Sequence, residues 1–127
     1  MNRSEIGKRG EDAAAKYLED AGYEIVCRNY RAGHLETDII AEDAERILFC
    51  EVKARSGRSA GFLRPAAAVN AKKSENLIRC AEEYIRQKRA LGDDAKKPRI
   101  DVIEVVFSGD DVKINHIKNA VIEKRNV

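Results

Sequence analysis

The chain has no tryptophan, and aromatic residues make up only 6% of its 127 residues. So few flat rings argue against a protein that grips single strands by stacking base after base. Charge of one sign is also missing. The net charge is +2, with 24 Lys and Arg against 22 Asp and Glu. That excludes a histone-like polycation, so any nucleic-acid binding must rest on a local basic face. The three cysteines, Cys27, Cys50 and Cys80, are odd in number and show no CxxC spacing. They read as small buried residues in a reducing compartment, not as a disulfide frame or metal ligands. No apolar run is long enough to span a bilayer, and polar Met1–Arg9 carries no signal-peptide core. A cytoplasmic protein without membrane contact is expected. Internal repeats, low-complexity tracts and linkers are absent, so residues 1–127 are read as one domain.

What is present is a regular alternation of helix and strand patterns. Ala14, Tyr17, Leu18 and Ala21 follow the i, i+3, i+4, i+7 rule and predict a helix over about 5–21, with Gly22 as its stop. Residues 23–28 predict a first strand, and 29–35 a polar loop carrying Arg31, Gly33 and His34. A second strand is expected over 36–41 and a third over 47–54, with a tight acidic turn over 42–46. Residues 55–64 read as a basic loop. A long helix is expected over about 66–90, opened by Pro65, with Leu77, Ile78, Ala81 and Ile85 as its buried stripe. Lys73 stands four residues before Leu77, so it heads that stripe and points toward the sheet. Nearly continuous apolar residues over 100–107 predict a buried strand. A turn at 108–111, a last strand over 112–117 and a charged tail from Asn119 follow. The order α-β-β-β-α-β-β predicts an α/β fold, a mixed sheet flanked by helices.

Two of these strands carry acids where a strand should be apolar. Asp38 lies in Glu36-Thr37-Asp38-Ile39-Ile40-Ala41, and Glu51 and Lys53 lie in Phe49-Cys50-Glu51-Val52-Lys53-Ala54. Side chains two apart in a strand share a face, which sets Glu51 beside Lys53 and Glu36 beside Asp38. Glu11 lies three residues before Ala14, on the buried side of the first helix. It reads either as a first-turn acid favoured by the helix dipole or as a buried acid in need of a partner. On residues alone the trio Asp38, Glu51 and Lys53 reads equally well as a solvated Glu–Lys pair with a nearby Asp, or as a site holding a divalent metal.

The order of motifs resembles the PD-(D/E)XK nuclease superfamily, the restriction-endonuclease-like fold shared with archaeal Holliday-junction resolvases. Within it the chain is similar to the small bacterial YraN-like family. The resemblance rests on Gly7-x-x-Gly10-Glu11-x-x-Ala14, Tyr17-Leu18, Gly22-Tyr23 and Arg28-Asn29-Tyr30-Arg31. It continues through Glu36-x-Asp38-x-Ile40-Ala41, Glu51-Val52-Lys53-x-Arg55, Ala68-Val69-Asn70 with Lys73, and Arg99-x-Asp101-Val102. Leu35, Thr37 and Ser74 depart from the glycine, aliphatic residue and glutamine usual at those positions.

The resemblance implies Asp38, Glu51 and Lys53 as the metal and catalytic set, with Glu11 and Lys73 as auxiliaries. Hard carboxylate oxygens suit Mg²⁺ or Mn²⁺, with the Val52 carbonyl as an added ligand. Lys73, Arg55, Arg58 and Arg31 are the candidate phosphate contacts, holding backbone without reading sequence. His34 is expected to be an ordinary loop residue. A metal-dependent nuclease acting on nucleic acid, DNA before RNA and including branched or repair intermediates, is the expected function. A non-cleaving nucleic-acid-binding module in repair, recombination or uptake is the alternative. An interaction domain using the long helix is a third reading, but it leaves the acidic trio unexplained. The junction resolvases imply a homodimer as one arrangement, and no residue of the sequence locates an interface.

Overall fold

A computed structural model describes residues 2–57, 61–62, 70–94 and 96–120. Its elements are α1 (Arg3–Asp20), β1 (Glu24–Ala32), β2 (Leu35–Glu42), β3 (Arg46–Ser56), α2 (Ala71–Ala90), β4 (Lys97–Ser108) and β5 (Asp111–Ile117). The strands form one five-stranded sheet in the order β1-β2-β3-β4-β5. Only β3 and β4 run parallel, with α2 as the crossover between them, and the other neighbours are antiparallel. The expected α-β-β-β-α-β-β order and mixed sheet are what the molecule has.

The helices cover opposite faces. Ala14, Ala15 and Leu18 of α1 pack on Ile39, Ala41, Leu48, Cys50, Ile103 and Val105. Ala81 and Tyr84 of α2 pack on Ile40, Ile47 and Phe49. Residues 47 to 50 thus alternate between the two cores, as a strand's period of two requires. Gly10 lets α1 lie close on β3, because a Cβ there would run into the Cβ of Ala54.

Several boundaries differ from expectation. The predicted loop over 29–35 is mostly strand: β1 runs to Ala32, Ala32 pairs with Leu35, and only Gly33 and His34 turn. Gly33 has φ +63°, which a tight hairpin turn favours. Asn29 also takes a positive φ, 53°, a conformation asparagine tolerates. It absorbs a break in alternation, since Arg28 reaches Asp12 of α1 while Tyr30 packs edge-on against Tyr84 of α2.

The second helix does not run unbroken from residue 66. Asn70 is extended, and its side chain accepts the Lys73 N–H at 2.8 Å, so α2 starts at Ala71. Its buried stripe is Leu77, Cys80, Ala81 and Tyr84, with Ile78 and Ile85 only partly covered. In α1, Ala21 is the exposed C-cap, and Gly10 and Ala15 are buried instead. The expectations for Arg58, Arg64, Pro65, the segment 66–69 and the tail 121–127 lie outside the described residues. Among the described residues no helix is long and apolar enough to cross a membrane.

Candidate active site

The pairing of β2 with β3 runs from Glu42↔Ile47 to Ile39↔Cys50 and stops there. One step further, Asp38 and Glu51 would face each other. Instead the Asp38 carboxylate accepts the Val52 N–H at 2.8 Å, so a side chain takes over a backbone hydrogen-bonding role. The strands part at this point, and strict alternation does not continue through Asp38. Ile39 packs under α1, whereas Thr37 pairs with Tyr30 on the α2 side. The opening leaves both acids at the head of a cleft of about 660 Å³ lined by Glu11, Asp38, Glu51, Val52, Lys53 and Arg55.

Glu51 is buried, at 6% exposure. Its Oε1 lies 3.5 Å from Lys53 Nζ and 3.4 Å from Lys73 Nζ. Its Oε2 is buried without a hydrogen-bond partner. Lys73 reaches the site because the Asn70 cap fixes the first turn of α2, as the sequence stripe implied. Glu11 approaches from α1; its buried Oε1 has no hydrogen bond, and the nearest cation, Arg28, stands 3.8 Å away.

All three carboxyls titrate above their ordinary values, chiefly because burial penalises their charged forms. The charge of Asp38 adds to the rise at both Glu11 and Glu51. The Val52 N–H and Lys73 oppose it at Asp38, and Lys73 and Lys53 oppose it at Glu51. Desolvated, mutually repelling acids with two lysines at their edge form a site short of positive charge.

That shortage bears on a metal. Among the described residues, no group of three or more His, Cys, Asp or Glu side chains is arranged to hold a metal ion by itself. The described residues alone therefore do not build a cage made wholly of protein side chains. Mg²⁺ commonly takes one or two carboxylates and completes its shell with water and substrate phosphate. The orphaned Glu51 Oε2 and the neighbouring Asp38 carboxylate fit that donor set.

The remaining predicted residues divide. Arg55 lines the cleft and donates to the Gly61 carbonyl at 3.2 Å. Arg31 is not brought to the cleft: it pairs with Glu36 at 3.4 Å and lines a separate depression beside α2. His34 sits exposed in the β1–β2 turn. The three cysteines are free thiols, and burial pushes all of them up, Cys50 most.

Arg99-x-Asp101 belongs to the resemblance, but no role was assigned from sequence to this further buried acid. Asp101, fully buried on β4, accepts from Arg99 Nε at 2.8 Å and a second guanidinium nitrogen at 2.9 Å. It also lies 2.6 Å from His116 Nε2 and accepts the Asn119 N–H at 2.9 Å. The other His116 nitrogen is 3.0 Å from the Tyr17 hydroxyl of α1. The Arg99-x-Asp101 spacing, two apart on one strand face, was the signal available for part of it.

A sheet opened by an acid between two strands, with Glu-x-Lys on the second, agrees with the PD-(D/E)XK nuclease-like superfamily that the chain resembles. Comparison with known proteins narrows this. The profile described as "Uncharacterised protein family UPF0102" matches residues 10–105, a span holding Glu11, Asp38, Glu51, Lys53 and Lys73. A UPF0102 protein of Alkaliphilus oremlandii is 43% identical over 94% of this chain and 99% of its own length. Those of Persephonella marina and Bacteroides thetaiotaomicron are 40% and 38% identical, over 90% and 92% of both chains. The chain belongs to the UPF0102 family.

Proposed function

We propose that the protein is a metal-dependent nuclease that hydrolyses phosphodiester bonds in nucleic acid, DNA in the first instance. The observation that carries this reading is the orphaned, buried Glu51 carboxylate oxygen beside Asp38, Lys53 and Lys73. A structural acid would be expected to satisfy such an atom, since a buried unpaired carboxylate oxygen is costly.

Asp38, Glu51 and the Val52 carbonyl would hold Mg²⁺ or Mn²⁺. When bound, the cation supplies a Lewis acid that makes water more acidic and offsets charge on the phosphate. Lys53 stands beside Glu51, half-exposed, where its ammonium can orient an attacking water or meet a phosphate oxygen. Lys73 faces the same carboxylate from α2 and neutralises the phosphate from the other side. Glu11 accepts a proton or hydrogen bond from water on the α1 side, suited to that role by its raised pKa. Arg55 at the mouth of the cleft contacts backbone phosphate, which gives affinity without sequence readout.

The alternative is a binding module of the same fold that does not cut. The buried acids oppose it, because carboxylates repel the phosphate that such a module must hold.

A cleavage panel decides between them. Labelled single-stranded, duplex, flap and four-way-junction DNA, plus RNA, are incubated with Mg²⁺, Mn²⁺ or EDTA, beside Glu51→Ala. Cutting that needs the metal and disappears in the variant is the expected result. Salt-sensitive binding without cutting under either metal would replace the nuclease with the binding module.

A further inference from the structure

The first half of α1 holds two glycines with opposite surroundings. Gly10 is explained by packing against Ala54. Gly7 is not: it lacks a positive φ, and among the described residues nothing lies within 4 Å of where its Cβ would stand. Glycine is a poor helix former, so a residue that neither turns nor packs weakens the helix without structural return. One remaining reason for glycine is the close approach of something else to the backbone.

Gly7 lies where two clefts meet. The active-site cleft shares Arg3, Gly7 and Glu11 with a second cleft of about 530 Å³, which continues past Lys8 to Arg28. Residues 3, 7 and 11 form one i, i+4 row of the helix, and 4, 8 and 12 form the adjacent row. Together they make the floor of a continuous groove.

Its charges are arranged for an anion. Arg3 and Lys8 are exposed and have no ion-pair partner among the described residues. Arg28 is held by Asp12 at 2.9 Å and stands 3.8 Å from Glu11. The depression beside α2 differs: Arg31 and Arg86 there are paired with Glu36 and Glu83, and Arg79 alone of its cations has no ion pair among the described residues. Two unpaired cations, Arg3 and Lys8, therefore lie along the groove that leads to the acids.

We propose that this groove takes the sugar–phosphate chain of a nucleic-acid strand on one side of the bond being cut. Arg3 and Lys8 hold its phosphates, and Gly7 leaves bare helix over which the chain passes. The inference rests on the nuclease reading above and adds the substrate's path.

The test is fluorescence anisotropy on the full chain with labelled single-stranded DNA and a labelled four-way junction, across a salt series. The proteins are wild type, Gly7→Ala, Gly7→Leu and a double Arg3→Gln/Lys8→Gln variant, each with a thermal melt and a cleavage assay. Gly7→Ala is expected to melt higher than wild type yet bind more weakly, a combination that a merely structural glycine does not produce. Gly7→Leu is expected to raise Kd about tenfold, equivalent to about 1.4 kcal/mol. The double variant should flatten the slope of log K against log salt by about 1.4 on the single strand, at about 0.7 per lost phosphate contact. It changes only exposed side chains, so it carries the test even where Gly7→Leu folds poorly. If wild type binds and cuts while the double variant keeps its Kd and salt slope, the groove is wrong and the nuclease reading stands. If wild type neither binds nor cuts either probe, both fall.

Discussion

Two buried acid clusters on neighbouring strands of one sheet are built in opposite ways. Asp101 on β4 is surrounded by donors: Arg99, His116 and the Asn119 N–H. Burial pushes its carboxyl up, but His116, Arg99 and the Asn119 N–H win, and it titrates below its ordinary value. Across the parallel pairing, Asp101 lies opposite Cys50, the residue just before Glu51. Glu51, Asp38 and Glu11 have few donors, keep unpartnered oxygens on Glu51 and Glu11, and titrate above their ordinary values. The same chemical group is thus a fastening in one place and a standing electrostatic cost in the other. Burial alone does not mark function. A buried carboxylate left short of hydrogen bonds beside a cleft does so much better.

The largest effect should come from Glu51→Gln. It keeps shape but loses charge, and cutting should fall by at least about a hundredfold in a metal-dependent assay. Its melting temperature should hold or rise, because the substitution removes a buried, underpaired charge. A clear loss of stability would erase the contrast between the clusters.

Asp101→Asn is the converse. It leaves Arg99 and His116 with a weakened partner in a buried setting. Urea unfolding should show a loss of about 3 kcal/mol. Stability equal to wild type would mean that the Asp101 network fastens nothing.

The pH dependence should separate the two clusters in metal-free protein. Asp101 has a lowered folded pKa, so its contribution is present above its unfolded value near 3.8 and is lost as pH falls through the folded value below that. Glu51, Asp38 and Glu11 have raised folded values. Their contribution is fully present below their unfolded pKa values and is lost as pH rises through the folded ones. Stability measured by urea unfolding should therefore climb as pH drops from neutral, then collapse in strong acid. Glu51→Gln should shrink the climb, and Asp101→Asn should blunt the acid collapse.

The smallest effect is reserved for Tyr17→Phe, which removes only the hydroxyl facing His116. A loss of about 1 kcal/mol in unfolding free energy is expected, with cutting unchanged.

The sequence made the underpaired cluster legible and hid the other. Asp38 and the Glu51-Val52-Lys53 triplet stood out because acids interrupt apolar strands, and Lys73 followed from a helical stripe. Glu11 was left with two readings, and the geometry that places it near Asp38 comes from the close approach of α1 at Gly10. The Asp101 network joins α1 to β4 and β5, with Tyr17 and His116 separated by 99 positions. No local pattern encodes such a contact. The same holds for Arg31, which looked like one more loop cation until β1 proved to extend through it and pair it with Glu36. Asn29 and Asn70 were misread for a related reason. A polar residue that takes a positive φ inside a strand, or caps a helix within a helical pattern, is chosen by tertiary context over propensity.

The central claim is that Glu51 and Asp38 are left underpaired so that a divalent cation can complete them. Thermal melts of wild type and Glu51→Gln, each in EDTA and across a Mn²⁺ titration, address it without relying on turnover. The account predicts that Mn²⁺ raises the wild-type melting temperature in a saturable way and leaves the variant unmoved. Equal shifts in both proteins, or none in either, would contradict it.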